Sequence, residues 1–298
     1  MAQRTAKQRR ADNSRQAKLA ELRAAEKRRR ARVVGSLSII GLVIVIVAIM
    51  VGVKLAGSAN NANVASGPSG KVVSLVSSVP ASTFDKVGAG TANAWPKAIK
   101  GGQPISDNGK PKVLYVGAEY CPYCAAERWA VVAALARFGT WHNVGLTAST
   151  GNDYAPNTPT LSFHGASYSS DYLAFAGYET QDRDGQPLDT LPASDEKLLK
   201  KYDAPPYVTG SAGSIPFIYY GGKYVSSGAS YDPLMFKGMS HQQVARAMQD
   251  PNSDVAKAVD GSANAITAAV CRLTGNKPGN VCTAPGVQAA AKKLQPAS

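Results

Sequence analysis

Lys112–Ala118 (KVLYVGA), Glu119, Tyr120 and the tetrad Cys121-Pro122-Tyr123-Cys124, followed by Ala125–Phe138 (AAERWAVVAALARF), form the stretch on which the fold turns. The first seven residues are apolar, β-branched or aromatic, and read as a buried strand. In the last stretch Trp129, Val132, Leu135 and Ala136 recur at three- and four-residue spacing, which predicts an amphipathic helix to about Phe138, stopped by Gly139. The cysteine motif thus sits at a strand-to-helix junction. A thiolate at a helix start faces backbone N–H groups without helical partners and the positive end of the helix dipole, so its pKa falls below the free-cysteine value of about 8.5. Cys121 reads as the exposed nucleophile. Cys124, one turn deeper on the same face, reads as the resolving thiol. Pro122 suits the first helical turn, where its missing N–H would have no partner.

A second landmark lies downstream. Gly213-Ser214-Ile215-Pro216 leads into Phe217–Tyr220, then Gly221-Gly222 as a turn and Lys223-Tyr224-Val225, a hairpin with a proline at the mouth of its first strand. A CxxC at a strand–helix junction with a later Ile-Pro before a hairpin resembles the thioredoxin superfamily. The runs YVGAEYCPYCAAERWA and SIPFIYYGGKY are similar to the prokaryotic family catalogued as domain of unknown function 929, with the similarity expected to run from about Lys71 to Cys282. The resemblance implies a thioredoxin-like α/β fold, a mixed sheet flanked by helices, with Pro216 cis beside the two cysteines. It also implies a substrate strand there, with Tyr120, Pro122, Tyr123, Ile215 and Pro216 as binding residues. One departure stands out: the place of that superfamily's buried acid, six positions before the first cysteine, holds Tyr115. Glu119 reads as an exposed rim carboxylate, and Glu127 and Arg128 as exposed residues early in the helix.

Between the landmarks, after an expected strand Val144–Ser149, roughly sixty residues from Gly151 to Gly210 remain, with a strand-like Tyr172–Tyr178 and a helix-like Asp195–Tyr202. They read as an inserted subdomain (151–210) beside the site, a place for substrate choice. Ser240 with Gln243 makes a capping box opening the last core helix, to about Met248. Of the four cysteines, Cys121 and Cys124 form one pair by proximity, which leaves Cys271 and Cys282 in an extension at about 250–285. Those two flank a Gly/Pro/Asn turn and are expected to form a structural disulfide. A second redox pair, or a four-cysteine zinc site, are the other readings. His142, His164 and His241 have no metal-ligand spacing and read as surface or loop residues.

Working outward to the N-terminus, the chain changes character. Val33–Val53 is an uncharged run of twenty-one residues, about 30 Å as a helix, and reads as one transmembrane span. Residues 1–32 hold twelve Lys/Arg against three Asp/Glu, a net of +9. Of the chain's overall +13, only +4 is left for the remainder, so a globally basic nucleic-acid-binding domain is disfavoured. The positive-inside bias puts this arm in the cytoplasm, against anionic lipid, and the rest outside the cell. It has no aromatic residues to stack bases, and no nucleic acid is expected. Residues 54–70 read as a flexible linker, 71–285 as the folded domain and 286–298 as a frayed tail. At 298 residues and 44% apolar content the chain can bury a sizeable core.

The expected molecule is a membrane-anchored, extracytoplasmic thiol–disulfide oxidoreductase. It would use Cys121 and Cys124 on protein thiols and exchange electrons with a partner protein, with no cofactor or metal. The competing expectation is a redox-inert scaffold of the same fold whose two thiols only brace it.

Overall fold

The computed structural model describes residues 68–294. The basic arm, the apolar run Val33–Val53 and the linker as far as residue 67 lie outside the described residues. Among the described residues no helix is long and apolar enough to cross a membrane.

The elements run in the order α1 Pro68–Ser77, α2 Ala81–Val87, β1 Lys97–Ala98, β2 Ser106–Asp107, β3 Lys110–Gly117, α3 Pro122–Leu135, β4 Gly139–His142, β5 Gly145–Ala148, β6 Pro159–Ser162, β7 Ser167–Ser170 and β8 Ala174–Glu179. They continue with α4 Ala193–Tyr202, β9 Phe217–Tyr220, β10 Tyr224–Ser227, a 3-10 turn Pro233–Phe236, α5 His241–Ala247, α6 Asp254–Leu273, α7 Gly279–Cys282 and α8 Pro285–Ala291. The result is a mixed sheet flanked by helices. Its backbone is the row β1-β10-β9-β3, in which β3 pairs antiparallel with β9 and parallel with β8.

The period-two rule of a strand explains why both faces of this sheet are covered. Val113 and Tyr115 of β3, with Ile218 and Tyr220 of β9, enter a core shared with α3 and α6. Leu114 and Val116, with Phe217 and Tyr219, enter a second core closed by Leu198 and Tyr202 of α4. A strand buried on both faces reads as a continuous apolar run, as KVLYVGA and FIYY do. The expected hairpin is present: β9 and β10 pair antiparallel, Tyr224 opposite Tyr220, around Gly221 and Gly222, whose φ values of 54° and 89° only glycine adopts freely.

Several expectations are corrected. The segment 151–210 is not an insertion as a whole, because β8 within it is the parallel neighbour of β3 in the main sheet, Val113 opposite Phe175 and Gly117 opposite Glu179. The strand expected at Val144–Ser149 forms instead as β5, in a separate two-stranded sheet with β6, and β4 pairs with β7 in another. The segment β4–β7 stands apart from the main sheet as these two small sheets. The capping box at Ser240 and Gln243 forms as expected, with Ser240 N–H donating to Gln243 Oε1 at 2.7 Å. It does not open the last core helix, however: α6, in the presumed extension, is longer and lies along α3 with sixteen of its residues buried. The chain also orders earlier and later than expected. α1 starts at Pro68, inside the presumed linker, and α8 occupies the presumed tail, with Val287, Ala290 and Leu294 buried.

Candidate active site

The site is built where β3 ends and α3 begins. Cys121 is the N-cap of α3, extended at φ −76° and ψ 122°, with Pro122 in the first turn. Its sulfur accepts from the Cys124 N–H at 3.3 Å, one of the donors a helix start leaves without a carbonyl. The same sulfur lies 3.8 Å from the Ile215 carbonyl oxygen, in the loop whose Ile215–Pro216 peptide is cis. The structure thus brings Cys121, Pro122, Cys124, Ile215 and Pro216 together. Cys121, expected to be exposed, is buried at 6% exposure because the Ile215–Pro216 loop packs against its sulfur; Cys124 is fully buried, and the two are unbonded. Bonding from Cys124 holds the Cys121 thiol below the ordinary cysteine range against the opposing effect of burial, with help from the Arg128 charge. Burial drives Cys124 well above that range. The two thiols are thereby made unequal, one poised to ionise and one held protonated.

Tyr123, between the cysteines, is 42% exposed, and Tyr154, on the loop after β5, is 53% exposed. Their rings stack with centroids 6.2 Å apart, and they are the exposed large apolar side chains among the described residues. The Tyr154 hydroxyl donates to Asp232 at 3.2 Å. The loop is tied to the motif by the Thr150 N–H, which donates to the carbonyl of half-buried Tyr120 at 2.9 Å.

Beneath the thiols the charges differ from expectation. Glu127 and Arg128, read as exposed, are 1% and 0% exposed. The reason is that α3 packs against α6, against β6 and, through the shared core, against the main sheet, and not along a single stripe. Glu127 accepts from the N–H and hydroxyl of Ser230 at 2.9 and 3.2 Å, and burial pushes its carboxyl up to about 7. Arg128 donates through Nε to Glu179 Oε1 at 2.7 Å and through Nη2 to the other carboxylate oxygen, both side chains being fully buried. Glu119 is half-buried rather than on the rim, accepting from Thr147 Oγ1 and Ser162 Oγ. The Arg128–Glu179 pair escaped the sequence reading, although a signal existed: Arg128 lies on the same 3.6-period stripe as Cys124, Val132 and Leu135.

The other expected sites lie apart. Cys271 and Cys282 are disulfide-bonded and buried at the far end of α6, with Cα atoms 5.6 Å apart. His164 pairs with Asp189, and half-buried His241 bonds the Thr147 carbonyl at 2.7 Å. Among the described residues no group of three His, Cys, Asp or Glu could hold a metal ion.

Fold and site together define a mixed α/β protein that carries a CxxC pair at a helix N-terminus against a cis-proline loop. The chain belongs to the family described as domain of unknown function (DUF929), whose model matches residues 98–272. The match starts later and ends earlier than the expected Lys71–Cys282. No curated protein matches the chain, and no solved structure does.

Proposed function

We propose that this is a thioredoxin-like thiol–disulfide oxidoreductase acting on protein thiols, with Cys121 as nucleophile and Cys124 as resolving thiol. The strand order β10-β9-β3-β8, with the cysteines after β3 and the cis-proline before β9, supports the thioredoxin-like assignment. The single observation that carries the function is the unequal thiol pair: a sulfur at the N-cap whose pKa is lowered, beside the cis-proline loop, over a fully buried partner three residues on, whose pKa is raised. A purely structural brace needs neither the inequality nor the proline loop beside it.

In the exchange, the Cys121 thiolate attacks one sulfur of a substrate disulfide, forming a mixed disulfide and expelling the other substrate sulfur as a thiolate, which takes a proton from water. Cys124 then loses its proton and attacks Cys121 Sγ, closing the Cys121–Cys124 bond and releasing the second substrate thiolate. Two electrons pass from the pair to the substrate; run backwards, the same steps oxidise a dithiol. Tyr120, Tyr123 and Tyr154 offer a substrate polypeptide aromatic surface beside the sulfur, and Ile215 and Pro216 its opposite wall. The basic arm and the apolar run Val33–Val53 support a membrane-anchored protein with this domain on the extracytoplasmic side.

Replacing Cys124 by Ser tests the mechanism. Mixed disulfides through Cys121 are expected to accumulate in intact cells and to vanish in Cys121→Ser/Cys124→Ser. A folded Cys124→Ser protein without adducts favours the redox-inert scaffold. For the topology, protease added outside intact cells is expected to digest the domain, and full protection overturns the orientation.

A further inference from the structure

The carbonyl of Ala118 has two donors. One is the Cys121 N–H at 3.2 Å, which closes the turn that presents the sulfur. The other is Arg128 Nη2 at 2.7 Å, arriving from one helical turn below Cys124. Arg128 is fully buried, and its remaining nitrogen, Nη1, has no hydrogen-bond partner. A buried guanidinium with a free N–H is costly, and a hydrophobic replacement of similar volume is often neutral or better for stability. Such an arrangement beneath a pair of thiols points to chemistry rather than to stability.

We propose that Arg128 is a positioning residue of the thiol pair, holding the Ala118 turn that presents Cys121 and supplying from below the positive charge that favours a thiolate, with Glu179 fixing its depth and moderating its field. This rests on the oxidoreductase reading above. Four groups face the pair, the first from the turn itself: the half-buried Tyr120 phenol, its pKa raised chiefly by burial and the group therefore neutral. From β3 comes the Tyr115 phenol, which burial holds well above its ordinary range and therefore neutral. From β8 comes Glu179, in register with Gly117. From α3 comes Arg128, the permanent cation of the set. Where the resembled superfamily keeps a buried acid on the strand, this chain has an uncharged phenol and, beneath it, an arginine.

The proposal makes a prediction of sign. Glu179→Gln keeps the shape and removes the negative charge that opposes Arg128. Arg128→Met removes the positive one. A stabilised thiolate favours the reduced pair, so Glu179→Gln is expected to lower the midpoint pH of Cys121 alkylation by iodoacetamide and to make the pair more oxidising against glutathione buffers. Arg128→Met is expected to do the opposite, moving the dithiol–disulfide constant at least tenfold towards the disulfide, about 30 mV more negative. Arg128→Lys, charged but without the planar fork, is expected to recover part of that shift. A merely structural ion pair would give changes of one sign or none. Purified full-length protein serves for all arms, with near-UV circular dichroism reporting the fold. Glu179→Gln that is unmoved, or moved the same way as Arg128→Met, overturns the proposal, and if Arg128→Met fails to fold, the sign from Glu179→Gln alone decides. Wild-type Cys121 that alkylates like an ordinary thiol near pH 8.5 overturns the oxidoreductase reading itself, a result distinguishable from the first.

Discussion

Tyr115 is fully buried, and its hydroxyl has no hydrogen-bond partner. Gly117 makes room for it, since a Cβ there would lie 2.6 Å from the Tyr115 oxygen. Burying a hydroxyl unpaired costs about 1–3 kcal/mol. Tyr115→Phe removes that cost without changing the ring, and is expected to raise the unfolding free energy by about 1 kcal/mol in urea titrations. A destabilised variant would mean that the hydroxyl is satisfied in solution. That Tyr115 stands where the resembled superfamily has a buried acid was legible in the sequence, since it follows from counting back from Cys121. Its neighbours were not. Glu179 is fifty-one positions from Arg128, and only the pairing of β8 with β3 brings them together. Adjacent charges such as Glu127 and Arg128 look solvent-seeking until the distant Ser230, Ser262 and Glu179 that satisfy them are in place.

Among the elements, α3 carries the thiols at its start and packs along α6. Where α6 passes the loop after α2, a Cβ on Gly261 would meet the Ala89 carbonyl oxygen at 2.8 Å and the Gly90 Cα at 3.0 Å. Gly261→Ala therefore sets a gain of about 1 kcal/mol in helix propensity against an overpacking cost of about 1–3 kcal/mol with backbone on the other side. The second term is expected to win, lowering the denaturant midpoint; a more stable variant would show that the loop yields. At the far end of α6 the Cys271–Cys282 bond closes an eleven-residue separation. By loop-closure arguments it stabilises the fold by about 3 kcal/mol. Cys271→Ser/Cys282→Ser is expected to lower the thermal midpoint while Cys121 alkylation is unchanged; altered Cys121 reactivity would revive the second-redox-pair reading. The two landmark segments, KVLYVGA–CPYC–helix and the proline-led hairpin, could be read because each carries its own local signal: a run buried on both faces, a helix start, a double-glycine turn. Strand β8 was legible as a strand, from the strand-like run Tyr172–Tyr178, but its place beside β3 was not. Its AFAGYE has a glycine and two alanines among six residues, weak strand formers, and nothing in that run tells which strand it joins; β3 offers it a parallel edge.

At the scale of the whole molecule, two acids are buried in the core shared by α3 and α6. Burial pushes Glu127 up to about 7 despite the donors around it, and Asp260 up to about 8 despite the nearby Arg137. Asp260 is fully buried, and neither of its carboxylate oxygens has a hydrogen-bond partner. Both folded-state values lie above the ordinary carboxylate range, so between about pH 4 and pH 8 the native state binds more protons than the unfolded chain, and stability falls as pH rises. The contribution is full below the unfolded pKa values and is lost as pH climbs through the folded ones, with a slope of up to about 1.4 kcal/mol per pH unit for each acid while only its native form is protonated. The domain is therefore expected to show a lower urea midpoint at pH 9 than at pH 6, and Asp260→Asn, which cannot ionise, to flatten that difference. The slope is the quantity to compare, because an asparagine amide in the same site also lacks partners and shifts the absolute stability. Equal wild-type midpoints at the two pH values would mean that both acids ionise freely within the fold. If the slope is as expected, alkaline pH also charges the contact between α6 and the helix that presents Cys121, so activity assays above pH 8 should be read together with the fraction of protein still folded.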